Sequence, residues 1–521
     1  MLWLNIIFWI LYAVLWAAVV RYDVHMFQHN SYRVERYARW FRSGFKYGRA
    51  AELILFTACF FINFITYGAF VGMVSFMMVH IAWREFRTVY KKPIVYTMRV
   101  KRLFLTAAIL TAAAIGAALI FIPKYAPVVA LALLVMPVVM LAANLVNKPL
   151  EAAISRWYYN DAKRILRSMP DLTIIGVTGS FGKTSTKHYL HRILSEKYNV
   201  LMTPGNFNTT LGVIRTIREH LKPHHQIFIV EMGAKQVGDI KEICDLVHPT
   251  IGVVTAVGEM HLETFGSVEN VLRTKFELID ALPADGVGVV NMDSEPIAQS
   301  APVHCRKIGY AVDNTKAEYR ATHIDYTPAQ TSFSVTTTHA EREQYTTHLA
   351  GRGNILNLLA AIAVADILKV NEAMQRRAIR QIEQIEHRLS VKRSGGGITI
   401  IDDAYNSNPD GARMALEVLG EVAHSTGGRA IVVTPGFVEM GESQYQRNRE
   451  LGERIAAVAD IAIVVNRINR EAIVEGLKRE GFAAEKIVEA DDFNSASTYL
   501  AAQMRAADVV LYENDLPDSF K

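Results

Sequence analysis

Lys183 and Thr184 close a glycine-rich run, Ile174-Ile-Gly-Val-Thr-Gly-Ser-Phe-Gly-Lys-Thr-Ser-Thr186, whose residue types suit the holding of phosphate oxygens. Gly179 and Gly182 let the backbone come close to a ligand. The loop amides between Ser180 and Ser185, with the N-terminus of the helix that follows, form a nest for anions. Lys183 adds a point charge for the outer phosphates, and the Thr184 hydroxyl is placed to hold a magnesium ion. The strict P-loop pattern wants a glycine five residues before Gly182, where Val177 stands. A chance glycine turn is the competing reading. An apolar strand before the run and a helical pattern after it favour nucleotide binding.

The elements needed to position this loop follow from the pattern after Asp171, where short Val/Ile strands alternate with helical stretches. Strands at 174–177, 226–230, 251–255 and 287–291 predict a mostly parallel sheet. Residues 300–350, rich in Thr, Tyr and His, predict a small antiparallel subdomain. A second α/β unit, Rossmann-like, is expected from His387, with strands at 398–401, 430–433, 461–465 and 509–512. Glu231 ends one apolar strand, where a hard-cation ligand would point into the crevice at the strand tips.

The front of the chain differs in kind. Of 521 residues, the first 150 hold 16 Lys+Arg against 4 Asp+Glu, and the rest hold 40 against 47. An acidic body argues against nucleic acid as a partner, whereas a basic, apolar front suits a membrane surface. Apolar runs at 3–20, 53–81, 104–122 and 126–146 predict a transmembrane region over 1–147, with 148–170 as a linker. The turn Pro123-Lys124-Tyr125 makes the last two runs a hairpin. The loops 21–52 and 82–103 each carry seven Lys+Arg, which places both in the cytoplasm. That topology needs a re-entrant hairpin at 53–81, hinged near Gly68 and Gly72, with a single tilted span as the alternative. Tyr32, Arg36 and Arg39 on one helical face, and Arg33, Tyr37 and Trp40 on the next, would set 21–52 along the membrane surface. Cys59, Cys244 and Cys305 are too scattered for a disulfide framework or a zinc ribbon and suit small core positions.

Further motifs follow the glycine loop in order. They are Thr203-Pro-Gly-Asn-Phe-Asn-Thr-Thr-Leu-Gly-Val213, Ile229-Val-Glu-Met-Gly233, His261-Leu-Glu-Thr-Phe-Gly-Ser267, Lys275, Gly351-Arg-Gly-Asn-Ile-Leu-Asn357, His387-Arg388 and Ile401-Asp-Asp-Ala-Tyr-Asn-Ser-Asn-Pro409. This ordered set resembles the Mur ligase family, and within it the ligases that add a D-alanyl-D-alanine dipeptide, over roughly residues 171–521. The resemblance implies an ATP-binding central domain at 171–386 and a C-terminal domain at 387–521. It also implies amide-bond formation in which a carboxylate is phosphorylated by ATP, an amine attacks and phosphate leaves.

The resemblance assigns roles by position. Asn208 and Thr209 match a loop that faces the substrate carboxylate and the γ-phosphate. Thr184 and Glu231 would hold one magnesium, and His261 matches a ligand of a second; its other reading is a loop histidine that caps a helix. Lys275 matches a lysine carried as a carbamate, which turns a cation into an anion able to face metals; otherwise it is a surface charge. Asn354 and Asn357 match residues near the adenine, and Arg388 and Asp403 match residues near the phosphates and ribose. Each of these four is otherwise a cap or a turn residue.

Departures qualify the substrate. Gly353 stands where many relatives have histidine, Thr434-Pro-Gly-Phe-Val-Glu-Met-Gly441 changes the start of a C-terminal motif, and Tyr512-Glu-Asn-Asp-Leu-Pro-Asp518 replaces a lysine-glycine-serine segment. Nothing before Asp171 resembles the family's UDP-sugar-binding module. The expectation is therefore a multi-pass enzyme of the inner membrane, its catalytic domains cytoplasmic, that joins an amino acid or dipeptide amine to a cell-wall precursor, lipid-linked in the specific form. The alternatives are D-alanyl-D-alanine addition to a soluble UDP-linked muramoyl tripeptide, a poly-γ-glutamate-type synthetase, and a catalytically dead nucleotide-binding scaffold.

Overall fold

The computed structural model describes residues 2–30, 32–35, 37–38, 57–58, 71–88, 90, 93–121, 133 and 135–516, apart from 261, 301–302, 327–329, 339 and 406. The chain divides into two compact units, Met1–Trp157 and Tyr158–Leu516.

The first unit is helical. Its described helices are Leu2–His29, Val71–Arg87, Met98–Phe121 and the first part of Met136–Arg167. Leu15, Val19, Phe27, Met78, Val100, Leu103 and Met140 form its core, while Ile10, Phe76, Leu105, Ile120, Val138 and Leu145 stand exposed. Two described stretches, Trp9–His29 and Met98–Ala118, are long and apolar enough to cross a membrane.

Several expected boundaries move. The first helix continues past 20 to His29, and Arg21 within it pairs with Glu85 at 3.0 Å. Gly72 is the second residue of the helix Val71–Arg87. Gly68, most of the run 53–70, the turn at 123–125, Arg36, Arg39, Trp40 and Cys59 lie outside the described residues. Tyr37 is buried and its hydroxyl donates to Asp23 Oδ1 at 2.9 Å, so it does not lie on a membrane-facing surface. The expected linker at 148–170 is helical as far as Arg167, continuing the helix that begins at Met136.

The second unit holds two sheets. The larger has nine strands: β1 (Thr173–Thr178), β2 (Val200–Met202), β3 (Ile227–Glu231), β4 (Ile251–Val254), β5 (Val287–Asn291), β6 (Arg306–Ala311), β7 (Tyr319–Tyr326), β8 (Thr331–Thr337) and β9 (Glu341–Thr347). Their order is β2-β3-β1-β4-β5-β6-β7-β8-β9. β1 pairs parallel with β3 on one side and β4 on the other. The chain then leaves β1 towards β2 and leaves β4 towards β5, in opposite directions. That reversal opens a crevice at the carboxyl ends of β1 and β4, where such sheets bind ligands. The expected small antiparallel subdomain is antiparallel only from β7 to β9. β6 pairs parallel with β5 and with β7, and only β7, β8 and β9 are antiparallel, so these strands extend the main sheet.

The smaller sheet contains β10 (Ser390–Arg393), β11 (Thr399–Asp403), β12 (Ala430–Thr434), β13 (Ile461–Val465), β14 (Ile487–Ala490) and β15 (Val509–Glu513), in the order β10-β11-β15-β12-β13-β14. Apart from the antiparallel β10, its strands are parallel. Cores form where apolar strand faces meet helices. Ile175, Val177, Val253 and Val289 pack with Leu190 and Ile193 and with Leu358, Leu359 and Ile362 of the helix Arg352–Ile367. That helix is apolar on all sides because it is buried on all sides.

In the smaller domain the helices Gln444–Val458 and Arg470–Arg479 touch backbone to backbone. A Cβ on Gly452 would stand 2.2 Å from the Ile473 carbonyl oxygen, and one on Gly476 would stand 2.0 Å from that of Arg449. Neither oxygen can swing away as a side chain would. Gly452→Ala and Gly476→Ala are each expected to destabilise the protein by about 1–3 kcal/mol, read as a lower urea midpoint. An unchanged midpoint for both would show that the helices separate freely.

Candidate functional site

β1 ends at Thr178 and the chain turns through Gly179, at φ 151°, and Gly182, at φ 79°, before the helix Lys183–Leu194 begins. Glycine is required at both places. A Cβ on Gly179 would meet Thr255 Oγ1 at 2.0 Å, and one on Gly182 would meet Asn357 Oδ1 at 2.5 Å. The loop is braced from behind. Thr178 Oγ1 donates to the Met232 carbonyl at 2.9 Å, and the Ser180 amide donates to that of Ala256 at 2.7 Å. Ser180 Oγ accepts from the Gly258 amide at 3.1 Å and donates to its carbonyl at 3.2 Å, so this hydroxyl faces the protein. Thr255 Oγ1 donates to the Phe181 carbonyl. A backbone fixed this way offers its amides without further ordering.

Lys183 curls over the loop and donates from Nζ to the carbonyls of Gly179 at 2.7 Å and Ser180 at 3.2 Å. Burial pulls its ammonium down to about 8; nearby Glu231 opposes that shift and Arg388 adds to it. Thr184 is half-buried and Ser185 buried in the first turn.

Glu231, at the end of β3, is 1 % exposed. Its Oε1 accepts from Asn208 Nδ2 at 3.0 Å, and Lys187 Nζ stands 2.9 Å from Oε2. These contacts engage one lone pair on each oxygen, so the carboxylate keeps acceptor capacity to spare. Burial alone would raise the Glu231 carboxyl, but Lys187 and Lys183 hold it below the usual value. A buried carboxylate with a spare lone pair beside a phosphate nest is a fitting ligand for a magnesium ion. Asn208 is held in turn, its carbonyl accepting from the Gly233 amide at 2.7 Å. Thr209 caps the next helix by accepting from the Gly212 amide at 3.3 Å.

Lys187 is the residue the sequence reading passed over. It is wholly buried, and the available signal was its spacing of one helical turn from Lys183. Lys275, on the helix Val268–Asp280, is 3 % exposed, so it is no surface lysine. Burial, then the Lys183 charge, brings its ammonium down to about 7. His261 lies outside the described residues, and among the described residues no group of three or more His, Cys, Asp or Glu gathers as a metal cluster.

The remaining sequence candidates fall into two groups. Asn354 and Asn357 back the P-loop helix. Asn354 Oδ1 accepts from the Tyr189 hydroxyl at 2.7 Å and its Nδ2 donates to the Ala350 carbonyl at 2.8 Å, while Asn357 Oδ1 accepts from Thr186 Oγ1 at 3.1 Å. Arg388 lies over the Tyr405 ring, 4.1 Å from its centroid, and acts electrostatically on both Lys183 and Asp403. Asp403 Oδ1 accepts from the Leu389 amide at 3.0 Å. Burial pushes its carboxyl up to about 6, against the pull of Arg388. Its register partner across β11 and β15 is Glu513. Burial, and then Asp403, raises Glu513 further, and Ser407 Oγ donates to its Oε1. Asn206 Nδ2 donates to the Tyr405 hydroxyl at 2.9 Å and Arg447 Nε to Glu259 Oε2 at 2.6 Å, so the two sheets' loops meet at the crevice.

Cys244 and Cys305 are buried free thiols, as small core residues would be.

Residues 177–365 match the Mur ligase middle domain, and residues 387–512 match the Mur ligase, glutamate ligase domain. The UDP-N-acetylmuramoyl-tripeptide–D-alanyl-D-alanine ligase of Mycobacterium bovis is 33 % identical over 364 residues, covering 65 % of this chain and 70 % of that protein. The enzyme of the same name from Escherichia coli is 27 % identical over 324 residues, covering 60 % and 70 %. Among solved structures, MurF from Acinetobacter baumannii aligns with a TM-score of 0.61 at 25 % identity, over 70 % of this chain and 77 % of that one. MurF from Thermotoga maritima in complex with ADP aligns with a TM-score of 0.61 at 26 % identity, over 69 % and 80 %.

The low value at Lys275 has a measurable consequence. In protein freed of metal and bicarbonate, its folded value of about 7 lies below the unfolded 10.5. The unfolded chain then binds more protons across that window, so this lysine adds stability as pH rises above about 7. Melting temperatures between about pH 7 and 9 are expected to climb less steeply in Lys275→Met than in the parent protein. Equal slopes would place Lys275 in contact with water.

Proposed function

The chain belongs to the Mur ligase family of ATP-dependent, ADP-forming ligases, and we propose that it joins the amine of a D-alanyl-D-alanine-type dipeptide to the terminal carboxyl of a muramoyl-peptide precursor. The convergence of Lys183, Glu231 and Asn208 at the carboxyl ends of β1 and β3 carries the reading. The names of the relatives supply the substrates.

In this reading the loop amides and Lys183 hold the ATP phosphates, and Asn208 faces the acyl carboxylate from the side of Glu231. A carboxylate oxygen attacks the γ-phosphorus and ADP leaves. The amine then forms the C–N bond to the acyl carbon as the C–O bond to phosphate breaks and inorganic phosphate departs. Because two anions must meet, cancelling charge is the main task. Glu231 and Thr184 would hold magnesium, which when bound screens the phosphates. A carbamate on Lys275 and the ring of His261 would serve a second ion. A buried amine near neutrality is suited to carbamylation, because the unprotonated form is the one that reacts with carbon dioxide. Asn354 and Asn357 would support the adenine side, and Arg388 and Asp403 the phosphates and ribose.

A membrane-tethered form of this enzyme, acting on a lipid-linked precursor, is favoured by one observation, the apolar stretches Trp9–His29 and Met98–Ala118. The soluble UDP-linked substrate has the stronger support, since it is the substrate in the relatives' names.

Full-length protein in detergent, given ATP and D-alanyl-D-alanine, is expected to release ADP only when UDP-N-acetylmuramoyl tripeptide is added. Release with the lipid-linked precursor alone would move the assignment to the tethered form. Lys183→Ala is expected to reduce turnover by at least about a thousandfold with no loss of folded structure, because this lysine carries phosphate charge. Near-normal turnover would remove the P-loop role.

A further inference from the structure

We propose that Lys187 is a positioning residue whose buried ammonium ties the Glu231 carboxylate to the 204–208 loop, so that one charge sets both the metal ligand and the loop facing the acyl donor. The tie itself stands on contacts within this chain. Only the naming of the metal and the acyl donor rests on the ligase reading.

Lys187 is 0 % exposed. Its Nζ lies 2.9 Å from Glu231 Oε2 and donates to the Gly205 carbonyl at 2.7 Å. A charge with no water around it persists only while its acceptors stay in place. Moving either the carboxylate or the loop therefore exposes the ammonium to an uncompensated site. Other bonds join the same two parts. Asn208 Nδ2 donates to Glu231 Oε1 at 3.0 Å, the Gly233 amide donates to the Asn208 carbonyl at 2.7 Å, and the Glu231 amide donates to Thr203 Oγ1 at 3.1 Å. These run between neighbouring strand ends. Lys187 is different because it reaches in from the P-loop helix, one turn after Lys183, and so refers carboxylate and loop to the element that carries the phosphates.

The arrangement has two opposing effects. The ammonium neutralises part of the charge a cation would seek at Glu231, which weakens metal binding. The same ammonium holds Gly205, which orders the loop. Removing it should tighten one and loosen the other, whereas a residue that only filled space would weaken both.

The test is Lys187→Met in the full-length protein with two readouts independent of turnover. Mn2+ binding in the presence of ADP is measured by the paramagnetic resonance of free ion, and amide hydrogen exchange of residues 204–208 by mass spectrometry. Mn2+ is expected to bind about fivefold more tightly or better, while loop exchange accelerates about tenfold or more. Weaker binding of Mn2+, or loop exchange at the parent rate, overturns the proposal. If Lys187→Met does not fold, the double variant Lys187→Met with Glu231→Gln leaves no lone charge, and faster loop exchange is then expected; exchange at the parent rate refutes the tie. Parent protein that takes up no Mn2+ with ADP counts against the ligase reading, and loop exchange then decides the tie by itself.

Discussion

The catalytic half of this molecule depends on a carboxylate and an ammonium kept out of water. Glu231 and Lys187 are both inside, and each offsets much of the other's charge, with Asn208 and the Gly205 carbonyl satisfying the rest. Their pairing links the end of β3, the loop after β2 and the P-loop helix, whose apolar residues Leu190 and Ile193 pack on the sheet. Lys183 lies one turn away on that helix and lends Glu231 further positive potential, so the carboxylate stays ionised despite burial. A charged interior of this sort gains little stability over an apolar one. Its value is in specifying one arrangement of Glu231, Lys187 and the loop around Gly205.

Around this centre the protein crowds cations. Lys183 and Lys275 repel each other and are both drawn towards neutrality by burial. Such crowding is unfavourable without a bound anion and becomes favourable when a polyphosphate enters. The smaller sheet contributes the opposite character at its own strand ends, where Asp403 and Glu513 face each other as register partners with Arg388 beside them. Burial favours the neutral form of both carboxyls, so the two sheets bring unlike groups together where Asn206 meets Tyr405.

The sequence by itself determined much of the α/β half. Strand positions followed from runs of Val and Ile bounded by turn residues, because a strand buried on both faces has to be apolar along its length. β5 and β13 lie where the pattern places them, and β1, β3, β4, β11, β12 and β15 within a residue or two at each end. The P-loop was legible because Gly179 and Gly182 are chemically required there: any other residue would collide with Thr255 or Asn357. The place of Glu231 at a strand tip was legible too, since it closes the apolar run of β3.

What only the tertiary structure decided is which side chains meet. Lys187 looked like any polar residue on a helix, because burial of a lysine depends on a partner 44 residues away in sequence at Glu231. Lys275 was singled out by its match to a carbamate-bearing lysine, but its burial, which separates that reading from a surface charge, appears only in the fold. Ser180 fits a phosphate loop in sequence, yet its hydroxyl bonds back to Gly258. β6 to β9 carried the alternation of an antiparallel group, but whether they stand alone or extend the main sheet turns on β6 pairing with β5, a contact that no local pattern encodes. Arg21 sits inside the first helix with Glu85 as its distant partner, a pairing that no local pattern encodes. Periodicity and turn chemistry are local and can be read along the chain. Burial of charge and the joining of strands are set by distant partners, and they exist only once the chain has folded.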